Sequence, residues 1–213
     1  KTSVARILAK AINCEQGDPG IPCNQCQSCV EIIEGSSVDV QEIDGASNRG
    51  IDEIRDLREN ARYMPSSSKY RIYIIDEVHM LTLPAFNALL KTLEEPPNHV
   101  KFIFATTEYH KVPMTILSRC QRFDFKRIPV AQLISQLEKI ATKEGIEISK
   151  SGLALIATEA EGSMRDAEGL LDQVVSFTGQ KVEDRHVTEI LGIIDRDIMM
   201  GATRAIIEGS PKE

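Results

Sequence analysis

The run RIYIIDEVHML at residues 71–81 limits the possible folds more than any other stretch of the chain. Ile72, Tyr73, Ile74 and Ile75 are β-branched or aromatic. A short unbroken run of this kind reads as a strand buried on both faces of a parallel sheet. It ends in two acids, Asp76 and Glu77. Carboxylates beside a core are costly unless partnered, and in open α/β sheets the carboxyl edge of the strands is where ligands bind. A hard cation such as Mg²⁺, which prefers oxygen ligands, is the usual counterpart. A strand that simply exits into an acidic loop gives the same pattern, so the flanking sequence has to decide.

That sequence alternates helix and strand signals. Val4, Ile7, Leu8, Ala11 and Ile12 recur at helical spacing, and residues 30–34 resume a short helix. Residues 38–43 alternate as a strand that ends at Asp44. Ile51, Ile54 and Leu57 line one face of a helix from Gly50. Residues 82–95 form a helix that Thr82 caps and Pro96-Pro97 ends. KFIFA, 101–105, is a second buried strand, and 121–125 a third, shorter one. The expected fold class is α/β, a parallel sheet with crossover helices. Past Pro129 no strand signal returns, and helices are expected at 130–144, 151–161, 164–177 and 183–191. A domain boundary is placed at about Pro129, and a last helix, 195–208, begins a third unit.

The net charge of −7 excludes a chain that coats nucleic acid by charge alone, although a local basic strip remains compatible. There is no run of 18 apolar residues, so no membrane span is expected. No signal-peptide pattern is present, which makes cytoplasm the expected compartment. Four of the five cysteines, Cys14, Cys23, Cys26 and Cys29, crowd a stretch broken by Gly and Pro. Four thiolates suffice for a closed tetrahedral Zn²⁺ site, with C-x₂-C steps giving the tight bite. Disulfides and an iron–sulfur cluster are the competing readings. Cys120, far off in sequence, reads as a packed small side chain.

Lys1-Thr2-Ser3 before an apolar helix matches the tail of G-x-x-x-x-G-K-[ST], in which Lys neutralises phosphates and the hydroxyl ligates Mg²⁺. An ATPase needs a metal, a water-orienting group, a phosphate sensor and usually an external cation. Asp76 suits the Mg²⁺, Glu77 the attacking water, and Thr107 that water or the γ-phosphate. Arg119, in LSRCQRF, and Arg165, in GSMRDAEGLLDQ, are the candidate cations.

Taken in order, KTS, IIDEVHML, ATTEYHKVPMTILSRC and GSMRDAEGLLDQ resemble the Walker A end, Walker B, sensor 1 with SRC, and sensor 2 of the AAA+ family. Within it they resemble the gamma/tau clamp-loader ATPases of bacterial DNA polymerase III. The resemblance implies a RecA-like domain over 1–129 with a zinc module at 14–29, a helical lid over 130–192, and the start of a collar domain over 193–213. It implies ATP, Mg²⁺ and Zn²⁺ as ligands, and other clamp-loader subunits, a sliding clamp and primer–template DNA as partners. Arg119 would act in trans, and Arg165 would read the nucleotide of its own subunit. The segment 45–50 with Arg55, ahead of a helix N-terminus, would track duplex phosphates. The glycine loop of Walker A would lie before residue 1, so this stretch alone is expected to bind ATP poorly. The rival expectations are a non-hydrolysing clamp-loader subunit, a zinc-stabilised binding scaffold and a Holliday-junction helicase. The last is disfavoured by the cysteine insertion.

Overall fold

Three parallel strands, β1 (Val40–Asp44), β2 (Arg71–Asp76) and β3 (Val100–Phe104), form a sheet in the order β1-β2-β3. They belong to the first of two units, Lys1–Asp124 and Phe125–Glu213, in a computed structural model that describes residues 1–17, 20–192 and 196–207. The central strand β2 is buried from Arg71 to Ile75, because both of its faces are covered. Successive side chains on a strand point to opposite faces. Ile72 and Ile74 accordingly pack with Ala5 and Ala9 of α1 (Thr2–Asn13) and Ile32 of α2 (Gln27–Glu34). Tyr73 and Ile75 pack with Ile54 and Leu57 of α3 (Ile51–Asn60) and with Phe86 and Leu89 of α4 (Leu83–Glu94). Each such burial stabilises by about 1.5–3 kcal/mol. The result is a helix–sheet–helix sandwich.

Register places the ends of the strands on one rim, with Asp44 opposite Asp76 and Ile75 opposite Phe104. The opposite rim is fastened by Asp39, whose side chain is fully buried. It accepts hydrogen bonds from the backbone N–H groups of Ser66, Ser67 and Ser68 at 2.8, 2.9 and 2.9 Å. Arg71 Nη2 lies 3.5 Å from it. Burial pushes this carboxyl up, but the three N–H donors and Arg71 outweigh burial and hold it below its ordinary range. Thr82 caps α4 by accepting from Ala85 N–H, in the expected place.

A one-turn helix, α5 (Met114–Leu117), adds Ile116 to the core of the first unit. The second unit is built from α6 (Val130–Glu144), α7 (Lys150–Glu159), α8 (Met164–Thr178), α9 (Asp184–Leu191) and α10 (Arg196–Ile207). Its core joins Leu133 and Leu137 of α6, Ile156 of α7, Leu171 and Val174 of α8, and Val187 of α9. Gly145 ends α6 with φ +69°, a left-handed cap that suits glycine. Ser149 and Ser163 cap α7 and α8.

The structure corrects three expectations. Residues 121–125 are not a strand: nothing pairs with them among the described residues, and Phe123 and Phe125 are exposed. Instead Arg122 lies over the Tyr109 ring and binds Asp124 at 2.9 Å. Strand structure does return after Pro129, as the two-residue parallel pair β4 (Glu147–Ile148) and β5 (Lys181–Val182). Finally, α2 begins at Gln27, so Cys29 stands on a helix rather than in the irregular run. Of the expected third unit, only Arg196–Ile207 is described, and Asp195 and Glu208 lie outside the described residues. No described helix is long and apolar enough to cross a membrane.

Candidate functional site

The polar rim is set by the peptide that follows β2. Gly45 N–H donates to the Asp76 carbonyl at 2.8 Å, and Val78 N–H donates to the Ala105 carbonyl at 3.0 Å. The neighbouring strand ends therefore pin this peptide from both sides. A Cβ on Gly45 would come within 2.8 Å of the Asp76 and Glu77 carbonyl oxygens, so only glycine allows this approach. Glu77 itself takes φ +45° and ψ +45°, a left-handed conformation costing about 1–3 kcal/mol, of the kind found at functional sites.

The α1 start meets this rim. The Thr2 hydroxyl donates to Asp76 Oδ2, and the other oxygen of Asp76 accepts from Glu77 N–H at 2.9 Å. Thr107, just past β3, donates to Glu77 Oε2 from its N–H at 3.2 Å and its hydroxyl at 3.0 Å. The structure thus gathers Thr2, Asp76, Glu77 and Thr107 into one cluster. A hydroxyl beside a carboxylate is the hard-oxygen donor set that Mg²⁺ prefers, so these residues fit that ion. Lys1 is exposed at the N-cap of α1.

Arg119 stands apart from the cluster. Its guanidinium binds Glu94 at 2.8 Å and the Thr115 carbonyl at 2.7 Å. Arg165, exposed in the first turn of α8, makes no ion pair among the described residues. Arg49 donates to the Met80 carbonyl at 3.2 Å, and Arg55 pairs with Asp52 at 3.0 Å.

Sequence reasoning passed over His79, Thr106 and Glu108. His79 Nδ1 lies 3.2 Å from Glu77 Oε2 and 2.9 Å from Thr106 Oγ1, and its Nε2 lies 3.2 Å from Glu108 Oε2. Lys111 binds Glu108 at 2.6 Å and holds its carboxyl below the ordinary range. The available signal was positional: DEVH and ATTE end adjacent strands, so their polar residues had to meet.

The second centre is the sulfur cluster. The Sγ atoms of Cys14, Cys23, Cys26 and Cys29 all lie within 4.8 Å of one another, and all four are free thiols, against the disulfide reading. A tetrahedral ion with Zn–S near 2.3 Å needs sulfurs about 3.8 Å apart, so the set fits. Cys14 Sγ accepts from Cys23 N–H at 3.3 Å and Gly17 N–H at 3.1 Å. The backbone N–H of Cys23 first, then that of Gln16 and, least, that of Gly17 lower its thiol to about 6, favouring the thiolate a metal requires. Burial pushes Cys29 up to about 12, a cost that a bound cation would offset. A Cβ on Gly17 would meet Cys14 Sγ at 2.9 Å and the Ile21 carbonyl at 2.1 Å, so the loop closes on the sulfur only with glycine there.

Comparison with known proteins places this geometry in context. Residues 1–129 match the family model described as DNA polymerase III, delta subunit, and residues 132–180 match that of the DNA polymerase III clamp loader subunit ATPase lid domain. The chain is 56% identical over 186 residues to DNA polymerase III subunit tau of Bacillus subtilis, covering 86% of this chain and 33% of that one. It is 47% identical over 210 residues to the Escherichia coli subunit tau, covering 99% and 33%. The chain therefore spans about one third of these relatives. Thermotoga maritima RuvB, described as a Holliday junction branch migration motor, superposes with a TM-score of 0.60 at 15% identity, over 85% of this chain and 63% of that one. That likeness shows the fold alone.

Proposed function

Because the chain belongs to the DNA polymerase III gamma/tau family of AAA+ clamp-loader subunits, we propose that it binds and hydrolyses ATP to load a sliding clamp onto primer–template DNA. The observation that supports this most is the Thr2–Asp76 hydrogen bond with Glu77 and Thr107 beside it on one rim of the sheet. Thr2 and Asp76 would hold Mg²⁺, which supplies positive charge to the phosphate oxygens. Lys1 neutralises the phosphate end of the nucleotide. Glu77 accepts a hydrogen bond from the attacking water and polarises it, while Thr107 holds one carboxylate oxygen in place. Arg119 acts on the site of an adjacent subunit, which requires it to leave Glu94 on assembly. Arg165 reads the nucleotide of its own chain.

The four cysteines hold a structural Zn²⁺, since no open coordination position is left for chemistry. The partners are other clamp-loader subunits, the clamp and the duplex, in the cytoplasm. Steady-state ATPase of the full-length protein, with and without Glu77→Gln, tests the reading. Loss of turnover with nucleotide binding retained is expected. Unchanged turnover would sink it in favour of a non-hydrolysing subunit or a zinc-stabilised scaffold.

A further inference from the structure

We propose that His79 is a positioning residue for the carboxylate of Glu77, an inference that rests on the role given to Glu77 above. His79 occupies the short 3-10 turn Val78–Met80 directly after β2, and its ring is 7% exposed. Nδ1 lies 3.2 Å from Glu77 Oε2 and Nε2 lies 3.2 Å from Glu108 Oε2. The imidazole is therefore wedged between the acid at the end of β2 and the acid past the end of β3. Thr106 closes the frame: its hydroxyl lies 2.9 Å from His79 Nδ1 and accepts from Glu108 N–H at 3.0 Å.

The consequence falls on one oxygen. Glu77 Oε2 is approached by Thr107 N–H, the Thr107 hydroxyl and His79 Nδ1, whereas Oε1 has no hydrogen-bond partner among the described residues. A glutamate has three side-chain torsions to fix, and loose placement of a base reduces its contribution. Anchoring one oxygen from two strands leaves the other presented to water in a single orientation. Glu108, gripped by Lys111, keeps the ring from turning away. A histidine that merely filled space beside β2 would not need a carboxylate at each nitrogen.

The test uses the full-length protein and reads turnover and nucleotide affinity separately. His79→Phe keeps the volume and removes both ring nitrogens. It is expected to lower kcat about tenfold or more, part of the ~10²–10⁴-fold that a positioned base contributes, with nucleotide Kd within about twofold. His79→Gln, which retains a donor, restores most of the loss. In a Glu77→Gln background His79→Phe adds nothing, because its effect passes through the missing carboxylate. Unchanged kcat in His79→Phe, or a full additive loss in the Glu77→Gln background, overturns the proposal. Should His79→Phe not fold, Glu108→Gln at the more exposed end of the same bridge decides instead: a drop of about threefold is expected, and wild-type kcat refutes. If Glu77→Gln alone leaves turnover intact, the functional reading fails, an outcome distinct from failure at His79.

Discussion

Replacing Asp39 by Asn tests how the sheet is fastened below its polar rim. The carboxylate accepts three backbone N–H groups and faces Arg71, which is itself buried. Asparagine supplies one carbonyl oxygen. If that oxygen keeps the Ser67 and Ser68 donors, its NH₂ is turned against Ser66 N–H and the guanidinium. At least one charge-assisted hydrogen bond is lost, about 1.5–3 kcal/mol, and Arg71 stays buried without a counter-charge, a defect of about 3–5 kcal/mol. These costs overlap, so about 3–5 kcal/mol is expected in all, or roughly 6–20 °C in Tm at 2–4 °C per kcal/mol. The pH dependence has a defined sign. Asp39 is depressed in the folded chain, so its contribution is complete above the ordinary Asp value near 4 and vanishes as pH falls through the lower folded value. Thermal melts from pH 7 to pH 3 should therefore show Asp39→Asn converging toward wild type at the acid end. A loss below about 1 kcal/mol at pH 7, or a gap that widens in acid, refutes the reasoning.

Metal analysis of the full-length protein should find one zinc per chain at the four-cysteine cluster. Ligand present at a hundredfold excess over Kd stabilises by about 2.7 kcal/mol, so chelation should lower Tm by about 5–11 °C. Gly45→Ala forces a Cβ against two carbonyl oxygens and should destabilise by about 1–3 kcal/mol, with ATPase falling alongside; a neutral melt would contradict the close approach. Arg119→Ala breaks a surface pair with Glu94 and local hydrogen bonds to the Thr115 carbonyl and the Ser118 hydroxyl, so stability should change by no more than about 1 kcal/mol. ATPase of the assembled loader should nevertheless fall by about 10³-fold, the scale of a lost arginine supplied in trans.

The parts legible in the sequence were those with a period or an abrupt chemical change. Four buried residues followed by two acids marked β2 and its rim, and apolar spacing marked α6 to α9. The cysteine spacing announced a cluster that the fold does assemble. What stayed hidden depends on a neighbour. Residues 121–125 have strand-forming composition, but propensity describes fit to a pleated surface, and among the described residues no partner strand lies alongside. The pair β4 and β5 is too short to carry a period of two. The first turn of α2 was masked by the cysteine pattern. His79 looked like any polar residue after a strand, since its significance comes from Glu108, which reaches it from the next strand over.

Cys29 and Ile32 sit one helical turn apart on α2, the former in the sulfur cluster and the latter in the core under Val40 and Ile74. A sulfur of the cluster and a wall of the sheet are thus borne by the same short rod. If the cluster holds Zn²⁺ as proposed, withdrawing it would loosen α2 at one end and unsettle the cover over β1 at the other. Amide exchange along Val40–Asp44 would then register metal content, although none of those residues belongs to the sulfur cluster.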